Sequence, residues 1–111
     1  MLINIEEETI TNIAFRNVIY TDELCQIVLM AIAGGNEIGM ERHPNTTQFI
    51  RVEEGYGIAI IEDKHYVLTP GMAIIVPSNH WHNVIADPDS ELKLYTIYSG
   101  EILHDEDEYE E

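Results

Sequence analysis

Short apolar segments alternate with turn-forming residues along most of the chain. Residues 26–32 (QIVLMAI) form a β-branched, almost wholly apolar run that ends at Gly34-Gly35-Asn36. Residues 48–52 (QFIRV) alternate and stop at Glu54-Gly55. Residues 57–61 (GIAII) lead through Glu62-Asp63-Lys64 into residues 65–68 (HYVL), the pattern of a hairpin. Thr69-Pro70-Gly71 turns the chain into residues 72–76 (MAIIV), which Pro77-Ser78-Asn79 ends. Residues 80–85 then precede Asp87-Pro88-Asp89-Ser90, and residues 92–98 (LKLYTIY) give the last clear strand. Many short strands separated by turn residues predict an all-β barrel or sandwich. No segment carries a long 3.6-residue apolar period, so helix is expected only as a short turn near Asp22-Glu23-Leu24 or in the C-terminal tail.

With 111 residues the chain is expected to build one domain, a barrel over residues 1–104 followed by an acidic tail at 105–111. That tail reads as a solvated end. The formal charge is -16, with Arg16, Arg42, Arg51, Lys64 and Lys93 the only basic side chains. Such a chain does not neutralise a phosphate backbone, which argues against nucleic acid as a partner. No apolar run reaches the roughly 20 residues of a membrane helix. The N-terminus is acidic where a secretory signal would be basic, so a soluble, cytoplasmic protein is expected. One cysteine, Cys25, excludes an internal disulfide and reads as a small buried hydrophobe.

Two regions concentrate metal-ligating chemistry. Glu41 and His43 stand two apart, so on a strand both point to one face. After Pro44-Asn45, Gln48 shares a side with Ile50 and Val52, which marks that side as interior. His80-Trp81-His82 again places two histidines on one face if the segment is extended. Brought together, Glu41, His43, Gln48 and His82 supply two imidazole nitrogens, a carboxylate and an amide oxygen. That mixed set suits one divalent ion of the Zn, Fe, Mn, Ni or Co type. A single histidine at such a position is more often a hydrogen-bonded core or rim residue; the cluster is what outweighs that reading. A carboxylate turned into a small barrel needs a cation or a donor, and Arg51 falls on the face opposite Gln48. Gln48 is the weakest member, a neutral amide that binds the ion or only a water on it. His80 is a candidate acid or base beside the metal, against the plainer reading of a polar rim residue. Trp81 is expected on the outer face, His65 beside the hairpin turn and exposed, and Tyr56, Tyr66, Tyr95 and Tyr98 chiefly as strand aromatics. His104 is too isolated to read.

The stretch at 35–55, GNEIGMERHPNTTQFIRVEEG, resembles the first motif of the cupin family, G-x5-H-x-H-x4-E-x6-G. Gly35 and Gly55 fall at its glycines, Glu41 at its first histidine, His43 at its second and Gln48 at its glutamate. The stretch at 71–82, GMAIIVPSNHWH, resembles the second motif, G-x5-P-x-G-x2-H, through Gly71, Pro77 and His82. Asn79 stands where glycine is usual, a mild change because both accept a left-handed backbone; the motif's later asparagine, which extends it to residue 86, falls on Ala86. The resemblance covers about residues 26–98 and implies a double-stranded β-helix (jelly-roll) barrel, a metal in its mouth, and commonly a homodimer. The wording is similar to small single-domain cupins of the phosphomannose-isomerase-like kind.

Glu in place of the first histidine and Gln in place of the glutamate keep four donors but change charge and softness, so no family reaction transfers directly. The first expectation is a metal-dependent enzyme acting on a small sugar, sugar acid or keto acid, with isomerase- or lyase-like chemistry. The alternatives are a non-catalytic domain that binds a small ligand, and a non-haem Fe(II) dioxygenase built on Glu41, His43 and His82.

Overall fold

The computed structural model describes residues 1–101 and the backbone of residues 109–110. The expected acidic tail and His104 otherwise lie outside the described residues. A seven-residue helix, α1 (Ile5–Thr11), precedes the strands β1 (Arg16–Thr21), β2 (Cys25–Ile32), β3 (Thr46–Glu54), β4 (Gly57–Ile61), β5 (Lys64–Leu68), β6 (Ala73–Val76), β7 (His82–Ala86), β8 (Leu92–Gly100) and β9 (Tyr109–Glu110). They form a six-stranded sheet in the order β6-β3-β8-β2-β1-β9 and a three-stranded sheet in the order β5-β4-β7. Every pairing is antiparallel, and the architecture is the expected jelly-roll barrel.

The inner faces supply the core: Val28, Met30 and Ile32 of β2, Ile50 and Val52 of β3, Ala59 of β4, Leu68, Val76, Val84, Ala86, and Leu92 and Leu94 of β8. Each fully buried side chain of this kind contributes about 1.5–3 kcal/mol. β3 shows the alternation that its sequence predicts, its inward positions buried and its outward ones partly exposed. β2 does not alternate because both its faces are covered: Leu29 on the outer face is as buried as Met30, beneath the N-terminal segment, whose Ala14 carbonyl accepts the Ala31 N–H at 3.1 Å.

Two elements depart from the sequence reading. α1 lies at the N-terminus, where no helix was expected. Asn4 caps it, its Oδ1 accepting the Glu7 N–H at 3.2 Å, and Glu6, Glu7 and Glu8 favour the positive end of the helix dipole. Seven residues cannot hold a helix alone in water. This one packs on the outer face of β8, β3 and β2 with Thr9 fully buried, and the buried Lys93 donates from Nζ to the Asn12 carbonyl at its C-cap. The turn at Asp22 is not helical. The Asp22 carboxylate accepts the Leu24 and Cys25 N–H groups at 2.8 and 2.9 Å and joins β1 to β2 as a side-chain-closed turn. Cys25 itself is half-buried rather than buried.

Candidate functional site

β3 runs into the barrel from Thr46 and carries Gln48 on its inner face, in register with Val76 on one side and Tyr98 on the other. The chain just before it, residues 37–43, crosses the end of β7 and is held there by backbone pairing. Glu41 and His82 exchange two N–H···O bonds at 2.9 Å each. The Gly39 N–H donates to Asn83 Oδ1 at 2.8 Å, and Asn83 Nδ2 donates to Glu37 at 3.0 Å. Asn79 adopts φ 66° and donates its N–H to the His43 carbonyl at 2.8 Å. The left-handed turn expected from the second motif is thus present with asparagine in the glycine position.

This frame places three of the predicted residues together. His43 Nε2 is 3.4 Å from Glu41 Oε2, and the rings of His43 and His82 are 5.1 Å apart between centroids. Glu41 is half-buried, His43 more enclosed, and His82 and Gln48 are buried. His82 Nδ1 lies 2.9 Å from the His80 carbonyl. Donation to that carbonyl fixes the tautomer and leaves the Nε2 lone pair free to bind. Gln48 Nε2 donates to Thr96 Oγ1 at 2.9 Å, while its Oε1 is buried and accepts nothing among the described residues.

Whether these residues suit a metal can be judged from the separations. Two imidazoles that share one ion at about 2.1 Å have ring centres roughly 5 Å apart, and neighbouring ligand atoms on that ion stand roughly 3–3.4 Å apart. The His43–His82 and Glu41–His43 pairs both meet this measure. Among the described residues, however, no three His, Cys, Asp or Glu side chains close on one point. The donors fit a divalent ion in kind and in pairwise spacing.

His80 does not share a strand face with His82. β7 begins at His82, and His80 sits in the preceding turn with Nδ1 3.0 Å from the Ser78 carbonyl. Its ring lines a cavity of about 430 Å³ with Glu62, Lys64 and Tyr66, and its backbone carbonyl is the part that touches the site. Trp81 lies on the outer face as expected, 43% exposed, with the Arg42 guanidinium 4.8 Å above its ring. This cation–π contact staples the 37–43 segment to β7 from outside. His65 is exposed, and Arg51 pairs with Glu53 on the outer side at 3.4 Å.

Sequence reasoning left open which of Tyr56, Tyr66, Tyr95 and Tyr98 lines the pocket, and did not name Thr96 or Gln26. Tyr98, 4% exposed, meets His43 edge-on with centroids 6.2 Å apart. Thr96 and Gln26 are fully buried beside it. The one available signal was polar residues at inward positions of otherwise apolar strands. Asn83, which positions the Glu41 segment, left no pattern at all.

The family model described as Cupin domain matches residues 28–98, and this chain belongs to the cupin family. It is 42% identical over 102 residues to "Uncharacterized protein L612" of Acanthamoeba polyphaga mimivirus, covering 88% of this chain and 64% of that protein. It is 38% identical over 104 residues to YrkC of Bacillus subtilis (strain 168), covering 88% of this chain and 56% of that protein. The chain thus spans about three-fifths of the length of these relatives. The crystal structure of BH2720 from Bacillus halodurans superposes with a TM-score of 0.96 at 37% identity, over 100% of this chain and 88% of that one. No helix among the described residues is long and apolar enough to cross a membrane.

Proposed function

We propose that this cupin holds one divalent ion between Glu41, His43 and His82 and acts on a small oxygen-rich molecule, a sugar, sugar acid or keto acid, in isomerase- or lyase-like chemistry. The observation that carries the reading is His82, buried and tied through Nδ1, with its free nitrogen left to the side where His43 and Glu41 already meet. Bound there, the ion supplies Lewis-acid polarisation of a carbonyl or hydroxyl oxygen. The chain's own residues present the donors: the backbone bridge sets the Glu41 segment beside His82, and the Glu41 carboxylate lies 3.4 Å from His43. His80 contributes its carbonyl to ligand orientation; a proton-transfer role for its ring requires it to reach inward from the turn.

The test is metal analysis of protein purified without affinity tags, followed by chelation and reloading. Close to one ion per chain is expected, lost in H82A; a metal-free wild type after reloading rejects the centre. A second reading, non-haem Fe(II) oxygenase, is favoured by the two-histidine, one-carboxylate set. Turnover that persists without oxygen sinks it. Ligand binding with no turnover of any tested sugar or keto acid would instead identify a non-catalytic binding domain. A homodimer belongs to the same proposal, and sedimentation velocity at micromolar concentration decides it.

A further inference from the structure

The segment that carries Glu41 is out of step with β7. Glu37 lies opposite Ile85 and Glu41 opposite His82, so the segment takes four steps where β7 takes three. The extra residue makes a bulge. It falls at Gly39, whose φ of 106° suits glycine, between Ile38, packed on the core, and Met40, 51% exposed. Residues directly opposite share a face, so the shift turns Glu41 inward with His82. In unbroken register Met40 would stand opposite His82, and Glu41 and His43 would face outward.

One side chain meets the donors on either side of the extra residue. The Ile38 N–H donates to the Val84 carbonyl at 2.9 Å. The Val84 N–H goes to Asn83 Oδ1 at 2.8 Å, where a regular ladder would return it to the Ile38 carbonyl. The Gly39 N–H donates to the same Asn83 oxygen at 2.8 Å, and Asn83 Nδ2 donates to Glu37 at 3.0 Å. Asn83 is 5% exposed, and an apolar residue in its place would leave both N–H groups without this acceptor. We infer that Asn83 is a positioning residue of the metal centre: by locking the bulge at Gly39 it sets the register that turns Glu41 toward the ion. The inference rests on the centre proposed above. Asn83 acts on the ion through Glu41 and not through a contact of its own.

The experiment is calorimetric titration of chelated, tag-free wild-type, N83A, E41A and N83A/E41A protein with Zn²⁺, with urea unfolding of each metal-free protein to establish that it folds. N83A is expected to lose about tenfold to a hundredfold in Zn²⁺ affinity, and E41A at least as much. N83A/E41A is expected to bind within about threefold of E41A, because a residue that acts through Glu41 then has nothing left to act on. An Asn83 that serves only the fold would lower affinity by the same factor in both backgrounds. That result overturns the inference and leaves the metal centre standing, and so does wild-type affinity in N83A. Where N83A does not fold, G39A takes its place in the same cycle: a Cβ at Gly39 meets nothing within 4 Å, so the substitution opposes only the backbone angle. Wild-type affinity in E41A removes Glu41 from the centre and overturns the inference as well. No Zn²⁺ binding by wild type removes the metal centre and this inference together.

Discussion

The two ends of the barrel interior are equally buried and differ in chemistry. Along their inner faces β2 runs from Gln26 to Val28, Met30 and Ile32, and β3 from Thr46 and Gln48 to Ile50 and Val52. β8 runs the other way in sequence, from Leu92 and Leu94 to Thr96 and Tyr98. Antiparallel pairing brings the three polar halves to one end and the three apolar halves to the other, with Gln48 opposite Tyr98 and Val52 opposite Leu94. Burial alone therefore does not decide composition here. The apolar end stabilises the barrel by area removed from water. The polar end gives up part of that gain, and its Tyr98 ring meets His43 edge-on.

The largest test of this contrast is Leu94→Ala at the apolar end. Leu94 is fully enclosed, and its truncation is expected to cost about 2–5 kcal/mol in urea unfolding. A loss well under that range would mean the apolar end can collapse and is not the stabilising half. Next in size is the response to metal. Zn²⁺ at a hundredfold its dissociation constant is expected to stabilise the wild type by about 2.7 kcal/mol, read as a rise in Tm. H82A should show little of this rise, and an equal rise in both proteins would move the ion elsewhere.

Replacing the polar pair by isosteres sharpens the comparison from the other side. The double variant Q48L/T96V, without metal, is expected to be neutral or up to about 1 kcal/mol more stable than wild type, because both hydrogen-bonding partners leave together. A clear destabilisation would show that the pair serves the fold rather than the site.

The smallest effect is in the β1–β2 turn, next to Gln26 at the polar end. The Asp22 carboxyl is held below its ordinary value of 3.8, first by the Tyr20 hydroxyl and then by the Leu24 and Cys25 N–H groups. A carboxyl whose pKa is lower in the folded chain adds stability above the unfolded value and loses it as pH falls through the lowered one. The same hydrogen bond raises the Tyr20 hydroxyl above 10.0, so its contribution is complete below that value and lost as alkali ionises it. D22N should flatten both limbs slightly in Tm measured against pH; unchanged limbs would show that the turn carries no charge-assisted bond.

Most of the series of strands from β2 to β8 was legible because short apolar segments end at Gly, Pro and Asp-rich turns whose chemistry is local. α1 was not, since seven residues are too few to show a helical period and the helix exists by packing on the sheet. β1 escaped because RNVIYT has mixed burial and no clean alternation. Glu41 and His43 were found by alternation, yet Glu41 reaches the site through an isolated bridge to His82 rather than within a strand. The predicted His80–His82 face failed at the turn that Asn79 closes.

By itself, the sequence determined the series of short strands and proposed Glu41, His43, Gln48 and His82 as candidates, because turn residues and side-chain alternation act over a few neighbouring positions. The barrel came from the resemblance of two motifs to the cupin family. Only the tertiary structure decided that Tyr98 and Thr96 join that end, that His82 is oriented by a backbone carbonyl, and that one oxygen of Gln48 is enclosed without a donor among the described residues. Those features depend on which strands lie side by side and in what register, and no spacing along a single strand records that.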